Sequence, residues 1–479
     1  MKKVLIFLIL VGLGAAGYWY MTNKPPREPQ PEPEVEVKFT TKSVEPSYIQ
    51  LPVGDSEYAI DGTAYAAGTK VKLPAGRHRV WSLDGNRFGK TEIMLSEGDS
   101  AEVTMNWQTF QPAETTYSYH GDIDRRGHID LEVADELMPT WQVEIGQRVR
   151  AAPIAVDGVV YVATRDLQLV AFDAQTGQRL WQGADIGSDT PAAVVGDYVF
   201  AANDRGSLDA YRIKDGKKKG ELGLGSFATS LTATPQGLLT LTAEGSVHLL
   251  KTEKSLFGKV PMKEKWRRDW ELLGGRVSHP TIGGDVALTQ TEFDELLAFS
   301  LESGAELWRH GMGSDASPAQ GDIQFDFSGQ DTSTTPAPTW TGESFVCVMG
   351  QELVAFSAQG NEIWRTSTAK KPSTSVACAF DIGYLGLENG QLLAFDITSG
   401  DEIWRANCDD KGLVASPMIA GKHVVILTSD GEFQLRHPLS GKKLQARNDL
   451  KDRVSTCPAI SKDGVVAVSD RGLMINYAR

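Results

Sequence analysis

One arrangement of apolar and polar positions recurs along most of the chain. Leu169-Val170-Ala171-Phe172-Asp173 is an apolar run closed by a carboxylate, and it leads through Thr176-Gly177 to Leu180-Trp181. The phrase returns as Leu296-Leu297-Ala298-Phe299 to Leu307-Trp308, as Leu353-Val354-Ala355-Phe356 to Ile363-Trp364, and as Leu392-Leu393-Ala394-Phe395-Asp396 to Ile403-Trp404. Weaker copies end at Gly220, Trp266 and Gln445. Steps between the Trp-equivalent positions are 39 to 46 residues, apart from one of 56 between Trp308 and Trp364. Short apolar strands with Gly turns, repeating near every 40 residues, predict the four-stranded units of a β-propeller.

In the first unit the expected strands are Ala152–Ala155, Val159–Thr164, Gln168–Asp173 and Arg179–Trp181. Asp173 is placed to cap the turn with its own side chain, and Gly177 to supply a positive φ. Asp396 holds the same position in a later copy, so capping, not acid catalysis, is the reading for both. Trp141, Trp181, Trp266, Trp308, Trp364 and Trp404 fall on outer strands, where an indole can cover the neighbouring unit. Ala151-Ala152-Pro153 opens an inner strand, where crowding at the axis admits only small side chains. After Gln445 the chain has room for three strands, ending at Leu473-Met474-Ile475-Asn476-Tyr477, while Trp141 marks a fourth strand with no unit before it. Pairing the two gives an all-β, eight-bladed ring over residues 136–479, closed so that no sheet edge stays open.

The first 135 residues read differently. Lys2 and Lys3 precede an apolar run from Val4 to Met21, near the lower length limit for a membrane-spanning helix. Tyr18-Trp19-Tyr20 resembles an interfacial aromatic belt and favours an uncleaved anchor at 1–21, whereas Ala15-Ala16-Gly17 would suit a cleaved signal. The lysines place the N-terminus inside and the bulk of the chain outside the cytoplasm. Five prolines between Pro25 and Pro33 make residues 22–42 a semi-rigid stalk. Residues 43–108 alternate between short strands and turns, as in Tyr58-Ala59-Ile60 before Asp61-Gly62, and predict four or five strands of a small β-sandwich. Residues 109–135 form a lead-in to the repeats.

Composition narrows the function. The 479 residues carry 62 acidic and 48 basic side chains, a formal charge of -14 that repels phosphate backbones, so nucleic acid is not an expected partner. Four cysteines, Cys347, Cys378, Cys408 and Cys457, are too few for a disulfide framework, although Cys408 and Cys457 could form one bond. The eight histidines show no zinc spacing, and neither a Gly-x-Ser-x-Gly elbow nor a Walker loop occurs.

Two resemblances follow from these residues. Ile60-Asp61-Gly62, Leu73-Pro74-Ala75-Gly76-Arg77-His78 and Leu95-Ser96-Glu97-Gly98-Asp99 resemble the PEGA domain, an accessory module of envelope proteins, although the namesake tetrapeptide is absent; a generic β-sandwich spacer accounts for them equally well. The Trp-bearing phrase resembles the pyrroloquinoline-quinone (PQQ)-like propeller repeat, and Tyr119-His120-Gly121-Asp122 with Arg125-Arg126-Gly127 resembles the segment preceding it in many bacterial members. That family spans quinoprotein dehydrogenases and non-enzymatic members such as the propeller lipoprotein of the outer-membrane β-barrel assembly machine. The vicinal cysteine pair of quinoprotein alcohol dehydrogenases and a Cys-x-x-Cys-His haem motif are both missing. The expectation is therefore a non-catalytic, monomeric propeller in the periplasm that binds envelope proteins, with no PQQ, calcium or other metal. A PQQ-dependent dehydrogenase, or a ligand or carbohydrate sensor, stands as the alternative.

Two departures from the repeat point to contact surfaces. The long step before Trp364 holds an acidic stretch, 311–338, with Asp315, Asp322, Asp326 and Asp331. A basic group lies in the second and third units: Lys214, Lys217, Lys218 and Lys219, then Lys251, Lys254, Lys259, Lys263, Lys265, Arg267 and Arg268. In an acidic protein this is a local positive patch suited to an acidic partner or anionic lipid.

Overall fold

A computed structural model describes residues 46–479, except 111, 115, 132, 134–135, 166–167, 184–189, 204, 253–261, 271–276 and 312–334. The anchor and stalk at 1–42 lie outside the described residues. So do Lys254 and Lys259, and Asp315, Asp322, Asp326 and Asp331. The described residues form strands and turns, and no helix among them is long and apolar enough to cross a membrane.

Residues 47–109 fold into eight strands in two sheets, more strands than the four or five expected of the small β-sandwich. Ser47–Gln50 lies between Lys70–Leu73 and Ser100–Glu102, and the second sheet runs Thr63–Tyr65, Glu57–Ile60, Gly76–Asp84, Arg87–Leu95, Asn106–Thr109. The hairpin of Gly76–Asp84 with Arg87–Leu95 is longer than the alternation predicts, because Ser82 and Gly89, opposite each other in it, interrupt the apolar pattern. Ile49, Val71, Val80 and Leu95 meet between the two sheets.

The repeats form sheets of four antiparallel strands in simple up-and-down order. The first unit is Ile154–Val156, Val159–Thr164, Gln168–Asp173 and Arg179–Gln182. Among the described residues eight sheets follow this pattern. In the last, the entry strand Met138–Glu144 pairs with Leu473–Ala478 from the chain's end. Sequence-distant strands thus share one sheet, and the inner strands Ile154–Val156 and Ala459–Ser461 lie side by side.

One contact recurs between consecutive sheets. Each outer-strand indole lies over the turn glycine of the next sheet and donates its N–H to a carbonyl there. Trp141 bonds Ala174 at 2.9 Å, Trp181 bonds Ile213 at 2.6 Å, and Trp266 bonds Leu301 at 3.0 Å. Trp308 bonds Ala358 at 2.9 Å, Trp364 bonds Ile397 at 3.0 Å, and Trp404 bonds Pro438 at 3.0 Å. A Cβ at Gly177, Gly216, Gly304, Gly360, Gly400 or Gly441 would sit 2.5–2.7 Å from the ring, so the position needs glycine for space as well as for its positive φ. Where Gln445 replaces Trp, its side-chain amide exchanges two hydrogen bonds with the Leu137 backbone, at 2.7 and 2.9 Å, and ties the seventh sheet to the entry strand.

Gly400→Ala and Gly196→Ala separate the two demands. Both glycines have positive φ, +77 and +59, but only Gly400 faces an indole. Each substitution carries the left-handed penalty of ~1–2 kcal/mol, and Gly400→Ala adds an overpacking loss of ~2 kcal/mol. Urea unfolding should rank Gly400→Ala clearly below Gly196→Ala; equal losses would contradict the joint.

Candidate interaction surfaces and a filled axis

The inner strands present backbone edges to the axis, and the lead-in satisfies them. Its carbonyls accept from one sheet after another. Thr116 takes Ala155 N–H at 3.2 Å, Tyr117 takes Val194 at 3.3 Å, Ile123 takes Ile282 at 2.8 Å, and Asp124 takes Trp340 at 2.9 Å. Arg126 takes Cys378 at 2.8 Å and Gly127 takes Ile419 at 2.7 Å. His128–Ile129 then adds a parallel strand to Met418–Ala420. The Thr116 hydroxyl donates to Ile460 O at 2.8 Å and accepts from Ile460 N at 3.0 Å, and Arg125 reaches the remaining sheet through Thr232 Oγ1 at 2.7 Å. One segment therefore touches all eight sheets.

Its side chains fill the centre. Arg125 is fully buried, and it donates to Ser118 Oγ at 3.0 Å, to Pro280 O at 3.3 Å and to the Tyr119 carbonyl. None of these acceptors is a carboxylate, and burial lowers the guanidinium pKa to about 10. The Tyr119 ring stacks on His279 at 4.4 Å, and its hydroxyl lies 3.2 Å from Ser416 Oγ. His120 has a carbonyl near each ring nitrogen, Arg125 O at 2.8 Å and Pro417 O at 2.9 Å; burial lowers its pKa to about 4, and the neutral ring donates to one of the two. His279 is held neutral by burial and the Arg125 charge. The arrangement is a buried polar core.

The thiols are equally closed. All four cysteines are free and buried, so Cys408 and Cys457 do not form a disulfide. Burial pushes Cys408 up to about 11 and Cys378 and Cys457 up to about 12, which keeps them protonated and unreactive. Asp173 caps its turn by accepting from Gln175 N, Thr176 N and the Thr176 hydroxyl. Asp396 accepts from Thr398 and also receives Lys90 at 2.6 Å. Among the described residues no three His, Cys, Asp or Glu side chains gather as metal ligands.

Lys90 belongs to a docking face that sequence reading missed. The small β-module seats on the sixth and seventh sheets. Glu57 accepts from His437 at 2.9 Å and Lys422 at 3.3 Å, and Arg79 pairs with Asp401. Gly62 packs onto the Ile403 carbonyl, and Trp81, Leu83 and Phe88 share a core with Tyr384 and Trp404. Ile403 is 9% exposed as a result, while the equivalent Leu180, Leu307 and Ile363 are 50%, 50% and 54% exposed. Those three apolar positions are uncovered copies of the site that the module occupies.

The basic group is brought together in part. Outer strands Lys218–Gly223 and Met262–Asp269 approach each other. Lys218 is held by buried Asp209 at 3.0 Å and by Glu221 at 2.9 Å, Lys217 lies 4.0 Å from Asp215, and Arg267 pairs with Asp269 at 2.9 Å. Lys265 donates to Gln236 at 2.8 Å and Arg268 to Ser303 O at 2.8 Å. Lys214, Lys219, Lys251 and Lys263 have no acidic partner among the described residues. Lys251 stands directly opposite Lys263, a like-charge pair that destabilises its own hairpin. A separate groove of about 520 Å³ opens between the seventh and last sheets, but its charges are spread over Lys411–Asp430 and Asp452–Arg471 pairs.

Sheets and repeat together define a β-propeller. A family model described as outer membrane protein assembly factor BamB matches residues 138–242 and 349–478, just under half of the chain. The chain is similar to the outer membrane protein assembly factor BamB of Burkholderia pseudomallei, at 26% identity over 355 residues, 69% of this chain and 87% of that protein. Among solved structures, BamB from Moraxella catarrhalis superposes with a TM-score of 0.57 at 15% identity, covering 72% of this chain and all of that one. The quinohemoprotein alcohol dehydrogenase of Comamonas testosteroni also has a TM-score of 0.57, at 12% identity over 76% of this chain and 80% of that one. These two likenesses establish a shared fold.

The module's seat has a definite pH signature. The His437 hydrogen bond and the Lys422 charge lower the Glu57 pKa from 4.5 to about 2. A carboxylate depressed on folding stabilises fully above its unfolded pKa and loses that contribution as pH falls through its folded one. Unfolding free energy should therefore drop between pH 4.5 and about 2, and Glu57→Gln should flatten that drop. Parallel pH curves for the two proteins would contradict the assignment.

Proposed function

We propose that this chain is a non-catalytic scaffold of the bacterial cell envelope, an eight-bladed propeller that holds partner proteins during outer membrane protein assembly. The observation that carries the reading is the filled axis. A propeller that encloses a small substrate or a planar cofactor needs an open, ligand-lined channel. Here Tyr119, His120 and Arg125 occupy that position and bond to one another or to the inner strands, and His279 stacks on Tyr119. The residues present do not fit a bound quinone. What remains for function is surface: the basic strands of the second and third sheets, and the exposed Leu180, Leu307 and Ile363.

The similarity to BamB proteins supports the same reading, on which the bulk of the chain works in the periplasm. On this proposal residues 1–21 anchor the chain, 22–42 space it from the bilayer, 43–108 are a PEGA-like module, and the propeller works as a monomer without PQQ or calcium.

Cross-linking in intact cells, followed by membrane pull-down and mass spectrometry, tests it. One recurrent envelope protein should be linked to the 214–268 face. Lys214, Lys219 and Lys263 changed together to Gln should weaken its retention about tenfold, ~1.4 kcal/mol. Lys218 is left intact because its loss would strand buried Asp209. Dye reduction with added quinone and calcium, or unchanged retention of the triple variant, would overturn the proposal.

A further inference from the structure

A pocket of about 340 Å³ opens where the β-module, the lead-in and the sixth sheet meet. Its floor is aromatic. Phe110 lies edge-on to Phe380 at 4.8 Å between centroids, and Phe88 and His128 pack against the same ring at 6.3 and 5.4 Å. His128 Nε2 donates to Gly421 O, 2.7 Å away, and burial lowers its pKa to about 4, so it adds no charge.

The rim carries two charged groups that are not paired with each other. Arg126 is answered by Asp124, with Nε donating to Oδ2 at 2.5 Å. Asp381 lines the pocket half-buried, and its carboxylate has no hydrogen bond or ion pair among the described residues. Lys90, whose charge also reaches Asp381, is already bound to Asp396 at 2.6 Å. The backbone there is unusual. Phe380 and Asp381 have φ of 60° and 58°, in a hairpin turn where other sheets place Gly158, Gly196, Gly284 or Gly421. A turn with two left-handed residues favours glycine or asparagine, so the bulky Phe380 is held against local preference. It plants the ring in the aromatic floor and leaves the Asp381 carboxylate beside it.

We propose that this pocket binds a small organic amine, a primary ammonium group on a compact apolar body, with the ammonium on Asp381 and the body on Phe88, Phe110 and Phe380. An unpaired carboxylate next to aromatic faces is the surface that a desolvated cation prefers. The space suits on the order of ten heavy atoms, at about 30 Å³ for each water-sized group.

Titration calorimetry on the full-length protein tests the site with three probes of similar shape: phenethylammonium, 2-phenylethanol and 3-phenylpropionate. Phenethylammonium should bind saturably, and at least about tenfold more tightly than the other two, equivalent to one step of ~1.4 kcal/mol. Asp381→Asn should remove that preference. Asp381→Gly removes the carboxylate while accepting the positive φ, and should do the same even if the Asn variant fails to fold. Asp430→Asn, in the separate groove, should leave binding unchanged. No saturable binding, a preference for the carboxylate probe, or undiminished binding by both Asp381 variants would overturn the proposal.

Discussion

Sheets that meet at a common axis leave the edges of their innermost strands facing an open channel, and buried backbone N–H groups there must find acceptors. In this protein the lead-in from Thr116 to Ile129 supplies them. Ile282, Trp340, Cys378 and Ile419 all donate to its carbonyls, and Arg125 spans the centre from Ser118 to Thr232. The ring closes around its own N-terminal segment as much as through the sheet that Met138–Glu144 shares with Leu473–Ala478. Trp-on-Gly contacts then fix the distance between neighbouring sheets at the outer edge. Inner and outer contacts together tie each sheet to its neighbours and to the lead-in.

That division explains why one fold accommodates both assembly factors and dehydrogenases. The strands and the Trp contacts are scaffold, and chemistry depends on what stands at the axis and on the rim. Here the axis holds a buried cation with neutral acceptors, histidines held below their ordinary pKa and protonated thiols. The rim holds like-charged Lys251 and Lys263 facing each other and three half-exposed aliphatic side chains, surfaces that do little for stability.

The repeat was legible in the sequence because its contacts join equivalent positions: Trp181 needs Gly216 for the same reason that Trp364 needs Gly400, so the requirement recurs and becomes visible as a period. Residues that act once leave no such trace. Tyr119, His120 and Arg125 read as part of a connecting segment, since nothing local tells a buried Arg from a solvated one. Glu57 and His437 meet across 380 residues, and the Ile403 phrase looks the same as the Ile363 phrase although one is covered and the other bare. The basic group could be counted from the sequence, but the hold of buried Asp209 on Lys218 could not, because Asp209 comes alongside only through the pairing of its strand with Lys218–Gly223.

The most direct measurement is native-state hydrogen exchange at the inner-strand amides of Ile282, Trp340, Cys378 and Ile419, which donate to the lead-in. With the axis filled as described, these amides should exchange only through global unfolding, with protection equal to that of the central strands. Exchange at the rate of surface turns would mean that the channel is open to water, and would contradict both the filled axis and the scaffold reading built on it.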